Sequence, residues 1–530
     1  MENPIPTEHF DVVVVGSGPA GSATARTIID EHPGLRVLVV EAGPKITEPS
    51  GRHIKTVADP AQRQAAQLAS QGPDCHRSAA PASNPAASQV DEPMSLVGRP
   101  GTFLLGKASV QPGEDGMVAA AMSSNVGGMG AHWTCACPPP GEGERIDFIP
   151  AVDFDEALGK ARELMCVTQD AFAGAPLSTA IANALARDLN PGRPLKRQVQ
   201  PMPLAVRVNA DGSRYWTGPD VILGQLANGP TERFELRAST AARRIIHENG
   251  SATAVEVVDV ETGRRYTVGT EAVVVAADAL RSPQLLHASG IRPKALGHYL
   301  NDQPEVVAGV RLRSSMVPDE VKNRPKEAGR TSIEPVGGVN WVPYLRDSYP
   351  YHGQVMQMDA SPVQLVPSED LWSDSIVGLG WFACKDLQFE DRVEFSDDEL
   401  DHLGMPAIRI HYNLTAKDRA TIAAMSDEVR RLAALLGEMI DEEPIVLPNG
   451  SSLHYQGTVR MGVANDGTSV CDTDARVWGT RNVYVAGNGV IPTPTACNPT
   501  LTAAALAVRT ARSICQRADT RSLVRTINAD

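Results

Sequence analysis

His454 and Asn498 are the residues of this chain whose types and setting suit acid–base chemistry on a hydroxyl group. An imidazole titrates close to neutrality, so it can take a proton from an alcohol. A carboxamide beside it can hold the same oxygen in place through a hydrogen bond. The two stand 44 positions apart around a strand-like run that ends in a glycine-rich turn, Val483-Tyr484-Val485-Ala486-Gly487-Asn488-Gly489. Asn498 then opens a predicted helix with Asn498-Pro499-Thr500-Leu501-Thr502. Proline in the first helical turn gives up no hydrogen bond, because that N–H lacks an intrahelical partner anyway. The helix N-terminus carries partial positive charge and free donors, so it favours an anion developing against it. This pattern reads as an enzyme that orients and deprotonates a hydroxyl while negative charge builds on a bound group.

A second motif stands at the other terminus. Asp11-Val12-Val13-Val14-Val15 has the length and composition of a buried strand, and Gly16-Ser17-Gly18-Pro19-Ala20-Gly21 follows at once. A helical stretch over residues 22–30 and a second strand, Arg36-Val37-Leu38-Val39-Val40, lead to Glu41. Gly16 permits the tight turn, Gly18 lets a pyrophosphate approach the backbone, and Gly21 lets helix and strand pack closely. Glu41 lies 20 residues after Gly21, where a carboxylate can accept hydrogen bonds from ribose hydroxyls. Strand, turn, helix, strand and acid in this order predict a dinucleotide site; an empty βαβ unit is the plain alternative. A third segment, Val126-Gly127-Gly128-Met129-Gly130-Ala131-His132-Trp133-Thr134-Cys135-Ala136-Cys137-Pro138, favours flavin over nicotinamide, since its glycines admit a flat ring close to the backbone.

With these residues in view, the chain resembles the glucose–methanol–choline (GMC) oxidoreductase family, and within it the pyranose oxidase and bacterial glycoside 3-oxidase group. The likeness is carried by residues 126–138, by Trp381-Phe382 through Phe395-Ser396-Asp397, and by His454 through Gly457-Thr458 and Arg460-Met461-Gly462 to Asn498-Pro499-Thr500-Leu501-Thr502-Ala503. Between them lies the pattern Ala277-x-Ala279-x-x-Ser282-Pro283-Gln284-Leu285-Leu286-x-x-Ser289-Gly290. The resemblance implies FAD as cofactor and His454 and Asn498 as the catalytic pair. Gly127, Gly128, His132, Trp133, Thr134, Gly487, Asn488, Pro499 and Thr500 then join Gly16, Gly18, Gly21 and Glu41 as cofactor-binding positions. His132 matches the histidine that fungal relatives bond covalently to the flavin. The fungal Ser-Thr before it is Gly130-Ala131 here, which leaves covalent attachment open and favours a non-covalent flavin. Gln354 matches a sugar-contacting position in the stretch Tyr349 through Asp359-Ala360, and Asp359 is the second candidate for sugar hydroxyls. Where the family has arginine this chain has Cys384, and the second histidine of its His-x-x-Gly-Thr-His pattern is Val459. His352 reads as a loop residue rather than a base.

The implied reaction is oxidation of a secondary hydroxyl, C3 or C2, of a pyranose or glycoside to the keto-sugar, with dioxygen reduced to hydrogen peroxide. C2 and C3 are neighbours on the ring, so a modest rotation exchanges them, and the sequence leaves both open with C3 favoured. A dehydrogenase of the same fold that passes electrons to a quinone is one alternative; a non-catalytic binding protein on the flavoprotein fold is another.

The sequence has 530 residues, too many for one ordinary compact core. It predicts an α/β fold in which a Rossmann-like FAD-binding domain (1–141, 231–301 and 454–530) interleaves with an α+β substrate-binding domain (142–230 and 302–453). The clearest helix of the second body spans 418–440, with Ile422, Met425, Val429, Leu432, Leu436 and Met439 on one stripe. Residues 62–92 lack a periodic apolar pattern and read as a flexible insertion, expected to fold over the sugar site. A formal net charge of −14 argues against a nucleic-acid partner. Eight scattered cysteines without a CxxC pair point to free thiols in a reducing compartment and to no metal site. No secretory leader or membrane span is apparent, so the expected location is cytoplasmic. Oligomeric state is not legible.

Overall fold

The apolar run ahead of Gly16 forms a strand, Glu8–Val15, inside a parallel sheet. Across that sheet the order is Phe234–Arg237, Val37–Val40, Glu8–Val15, Arg265–Val275 and Val483–Val485, every neighbour pair parallel. Parallel strands covered on both faces read as unbroken runs of β-branched residues, and Val12 to Val15, Val37 to Val40 and Val273 to Val275 are all buried. The lower half of Arg265–Val275 turns to another use: it pairs antiparallel with Ser251–Asp259, which pairs antiparallel with Thr240–Glu248. The computed structural model describes residues 8–70, 102–323, 336–357 and 376–527.

Helix Pro19–Glu31 follows the first strand, with proline at its first position, and packs against the C-terminal helix Thr500–Ile527. Both carry small residues at the contact, so their backbones approach closely. Ala23, Ala25, Ala504, Ala507 and Ala511 are buried in one core with the parallel sheet. Helix Ala151–Leu164 covers the C-terminal helix further along.

A second sheet is antiparallel throughout, in the order Gly437–Met439, Glu305–Leu312, Ile376–Ala383, Tyr351–Gln357, Val339–Val342 and Gln200–Pro201. Helix Ala416–Leu436 lies on it and starts with a capping box between Thr415 and Asp418. Met425, Val429, Leu432 and Leu436 are buried in this second core, with Ile422 and Met439 packed at its margin. The helix stops at Leu436 rather than continuing to 440. A side chain at Gly437 would bring its Cβ within 1.9 Å of the Arg311 carbonyl oxygen, so the chain comes off the helix there and joins the sheet edge as Gly437–Met439.

The insertion read as irregular begins with regular structure. Residues Pro60–Ser70 form a helix, because alanine, glutamine and arginine favour one and Asp59 caps it by accepting from the Gln62 N–H at 2.7 Å. Its continuation, 71–101, lies outside the described residues, as does the expected position over the sugar site. A hairpin of Arg392–Leu400 and Pro406–His411 buries Val393, Phe395, Ile408 and Ile410 against Ala279, Leu280 and Met117. Its turn brings Leu403 and Met405 to the crevice described next.

Candidate active site

A crevice runs from the carboxyl ends of the parallel strands to the start of the C-terminal helix. Its walls include Gly16, Gly18 and Glu41 at one end and His454 and Asn498 at the other, with Gly128, His132, Trp133, Thr134, Gly487, Asn488 and Thr500 between. Ligands of open parallel sheets sit in such crevices beyond the strand ends.

The first turn shows why glycine is needed at three positions for three reasons. Gly16 has φ +103°, a conformation that side chains with a β carbon rarely adopt. Gly21 lies so close to the turn that its Cβ would be 2.0 Å from the Gly16 carbonyl oxygen. Gly18 is different: the nearest protein atom to a Cβ there is 3.9 Å away, and the space faces the crevice. Beyond it stand the first N–H groups of helix Pro19–Glu31, an anion site by geometry. The Glu41 carboxylate accepts from the Ser17 N–H and hydroxyl at 3.1 and 2.7 Å and from the Gly43 N–H at 2.9 Å. Burial raises its pKa, and these bonds oppose the shift. Gly127 lies behind the crevice wall, donating its N–H to Ser17 Oγ at 2.8 Å. Residues Gly128–Ala131 make one 3-10 turn that delivers His132 and Trp133 to the crevice. The Trp133 indole N–H donates to the Thr217 carbonyl at 2.8 Å. Pro499 stands one residue before the helix, its carbonyl accepting from the Ala503 N–H at 2.8 Å.

At the far end, Asn498 Nδ2 lies 3.3 Å from His454 Nε2. The imidazole is held from behind: its Nδ1 is 2.8 Å from Gln303 Oε1. The Gln303 amide nitrogen donates to the carbonyls of Thr495 and Cys497, both at 2.8 Å, so its oxygen can only face His454. His454 therefore carries a proton on Nδ1, and the lone pair of the neutral ring sits on Nε2 beside Asn498. Leu453, just before it, has φ +59°. The Asp302 carboxylate anchors this turn, accepting from the N–H groups of Gly450 (3.0 Å) and His454 (3.2 Å) and from the Ser452 hydroxyl. Burial pushes the Asp302 pKa up to about 6. From a turn between residues 141 and 146, Glu144 accepts from the N–H groups of Ala496 and Cys497 at 2.8 and 2.9 Å and so fixes the approach to Asn498.

Gln354 is on strand Tyr351–Gln357, where its side-chain amide lies 3.0 Å from the side-chain amide of Asn498. His352 is on the same strand, fully buried, and not in a loop; alternation places it and Gln354 on one face. Burial brings its pKa down to about 3. Asp359 lies outside the described residues. Sequence reasoning missed Gln303, Asp302, Ser452 and Glu144, and also Trp341, whose indole N–H donates to His352 Nδ1 at 2.9 Å. The Asn301-Asp302-Gln303 run of polar residues just ahead of an apolar strand was the one available signal.

The family-model description GMC oxidoreductase matches residues 226–305 and 391–507, and residues 11–59 match the Lycopene cyclase protein model. The chain belongs to the GMC oxidoreductase family. It is 49% identical to a C-glycoside 3-oxidase of Arthrobacter globiformis, over 96% of this chain and 95% of that one. A C-glycoside 3-oxidase of Microbacterium trichothecenolyticum is 47% identical over 96% of both, and a Pyranose 2-oxidase of Tricholoma matsutake is 29% identical over 96% and 93%. Among solved structures, pyridoxine 4-oxidase (Mesorbium loti; TM-score 0.62, 19% identity, 95% of this chain and 99% of that one) and Aspergillus oryzae formate oxidase (TM-score 0.66, 16% identity, 98% and 100%) share the fold.

Proposed function

We propose that this protein oxidises the C3 hydroxyl of a pyranose glycoside to the 3-keto-sugar, with FAD in the crevice and dioxygen as electron acceptor. The observation that carries the reading is the His454–Asn498 pair at 3.3 Å, at one end of a crevice whose other end is the glycine turn and Glu41. The fit to FAD rests on that continuity. The open space at Gly18 and the helix N-terminus behind it would receive the pyrophosphate, and Glu41 the ribose. The glycine turn before His132 would border the flavin ring, and Gly130-Ala131 in place of Ser-Thr supports a non-covalent flavin. Bound FAD supplies a hydride acceptor and is reoxidised by dioxygen.

His454 Nε2, its lone pair held toward Asn498 by the Gln303 bond, takes the hydroxyl proton. Asn498 fixes the position of the same oxygen. Gln303 keeps the ring from rotating, and the Asp302 and Glu144 networks keep the two loops in register. Asp359 is the proposed contact to other sugar hydroxyls, and Gln354, behind Asn498 and outside the crevice lining, is proposed to act on the sugar through its bond to Asn498. C3 is preferred over C2 because the relatives at 47–49% identity are named for C3 and the fungal C2 enzyme stands at 29%. All seven described cysteines are unpaired thiols, which supports a cytoplasmic location. Among the described residues no helix is long and apolar enough to cross a membrane.

The test has two arms. Product NMR after incubation with a C-glycoside, an aryl glucoside and free glucose should show a carbonyl at C3, with peroxide formed under air; a carbonyl at C2, or none, sinks the assignment. Anaerobic stopped-flow with His454→Ala and Asn498→Ala should show flavin reduction slowed by about two or more orders of magnitude. Undiminished rates in both would move the base elsewhere.

A further inference from the structure

Behind Asn498 a chain of side chains continues away from the crevice, and its hydrogen-bond directions are constrained from both ends. Trp341 Nε1 lies 2.9 Å from His352 Nδ1, His352 Nε2 lies 3.2 Å from the Gln354 amide nitrogen, and that nitrogen reaches Asn498. An indole N–H only donates, so His352 Nδ1 accepts. The neutral imidazole has one lone pair, now used; its proton is on Nε2 and points at Gln354. As placed, two N–H donors therefore face each other at 3.2 Å. Turning the Gln354 amide by half a turn cures this, since Oε1 then accepts from His352. Asn498 must turn with it, offering Nδ2 to Gln354 and Oδ1 to His454 Nε2. That last contact is a hydrogen bond only when Nε2 carries a proton, and Nδ1 already has one, given to Gln303. Among the contacts at hydrogen-bonding distance, all are satisfied for imidazolium His454, whereas one of them is broken for the neutral ring. The conflict matters because Trp341 and His352 are buried, and a buried donor without an acceptor is costly.

We propose that Trp341 and His352 set the direction of this chain so that it matches the doubly protonated form of His454, the state reached when the base has taken the substrate proton. They are positioning residues, acting through Gln354 and Asn498 and touching neither sugar nor cofactor. The proton comes from the hydroxyl; the amides only exchange donor for acceptor by rotation. The consequence for turnover rests on His454 being the base, whereas the hydrogen-bond direction does not.

Other titratable or charged groups near the chain are Asp302, bonded to the His454 backbone; Glu144, bonded to the loop before Asn498; His132 in the crevice wall; and Arg197, stacked over the Trp341 ring at 5.7 Å. A Trp341→Phe or His352→Phe change keeps an aromatic ring in each place and alters none of these charges.

The experiment is an NMR titration of histidine-15N-labelled holoenzyme, with resonances assigned by single histidine substitutions. In the wild type, His352 should be neutral with its proton on Nε2; a proton on Nδ1 overturns the proposal without any variant. In His352→Phe the titration midpoint of His454 should fall by about one pH unit, the worth of one hydrogen bond, and Trp341→Phe should move it the same way. An unchanged or raised midpoint overturns it. If either variant does not fold, the other and the wild-type tautomer decide. Should His454→Ala leave flavin reduction fast while these shifts occur, the hydrogen-bond direction stands and the assignment of the base falls.

Discussion

Acid acts on the buried histidines and on Asp302 in opposite senses. Burial lowers the pKa of His53 to about 4 and of His352 to about 3, both below the value near 6.5 of an unfolded chain. As pH falls below 6.5 the unfolded chain takes up protons that the folded one refuses, so stability is lost on acidification. For His53 the loss reaches about 3 kcal/mol by pH 4. Asp302 is raised to about 6, so its contribution is full below the unfolded value near 3.8 and is lost as pH rises through 6. That offsets about 2–3 kcal/mol of the histidine effect on acidification. Denaturant unfolding should show lower stability at pH 4.5 than at pH 7, and Asp302→Asn should make the fall steeper. A shallower fall in that variant would contradict the assignment.

At the scale of elements, the first turn separates folding from binding. Gly21→Ala drives a methyl into the Gly16 carbonyl, where neither backbone can yield, and should destabilise the protein by about 1–3 kcal/mol. Gly18→Ala meets no protein atom closer than 3.9 Å, so the fold should be unharmed while the cofactor loses its approach. Thermal melting of the flavin-free proteins and titration with FAD measure the two effects. Gly18→Ala should melt with the wild type and bind FAD at least about tenfold more weakly; normal binding would mean that the pyrophosphate lies elsewhere. The strands and helices around this turn were readable from hydrophobic runs and glycine spacing. The 418–440 helix was readable in its stripe but not at its end, because Gly437 leaves the helix to meet a strand more than a hundred positions earlier. The helix at 60–70 was overlooked because its signal is composition and an Asp59 cap rather than an apolar stripe.

Across the whole molecule, the chain passes between the two sheets repeatedly. Glu305–Leu312 starts two residues after Gln303, which holds His454, and Gln354 on the second sheet bonds Asn498 at the C-terminal helix. Bodies tied through their shared site should unfold together. Tryptophan fluorescence and flavin release are expected to give one midpoint; well-separated transitions would show that the sheets are independent.

The residue types at 454 and 498, the glycine turn with Glu41, and the parallel strands that lead to them were determined by the sequence alone. Their signals are local: a periodic run, a turn of fixed spacing, a proline before a helix. Only the tertiary structure decided what stands behind the pair. Gln303, Asp302, Trp341, His352 and Glu144 come from segments up to several hundred positions away, where each looks like an ordinary polar or aromatic residue. Which way a hydrogen bond points depends on every partner being in place at once. That condition is met only when the two sheets close around the site.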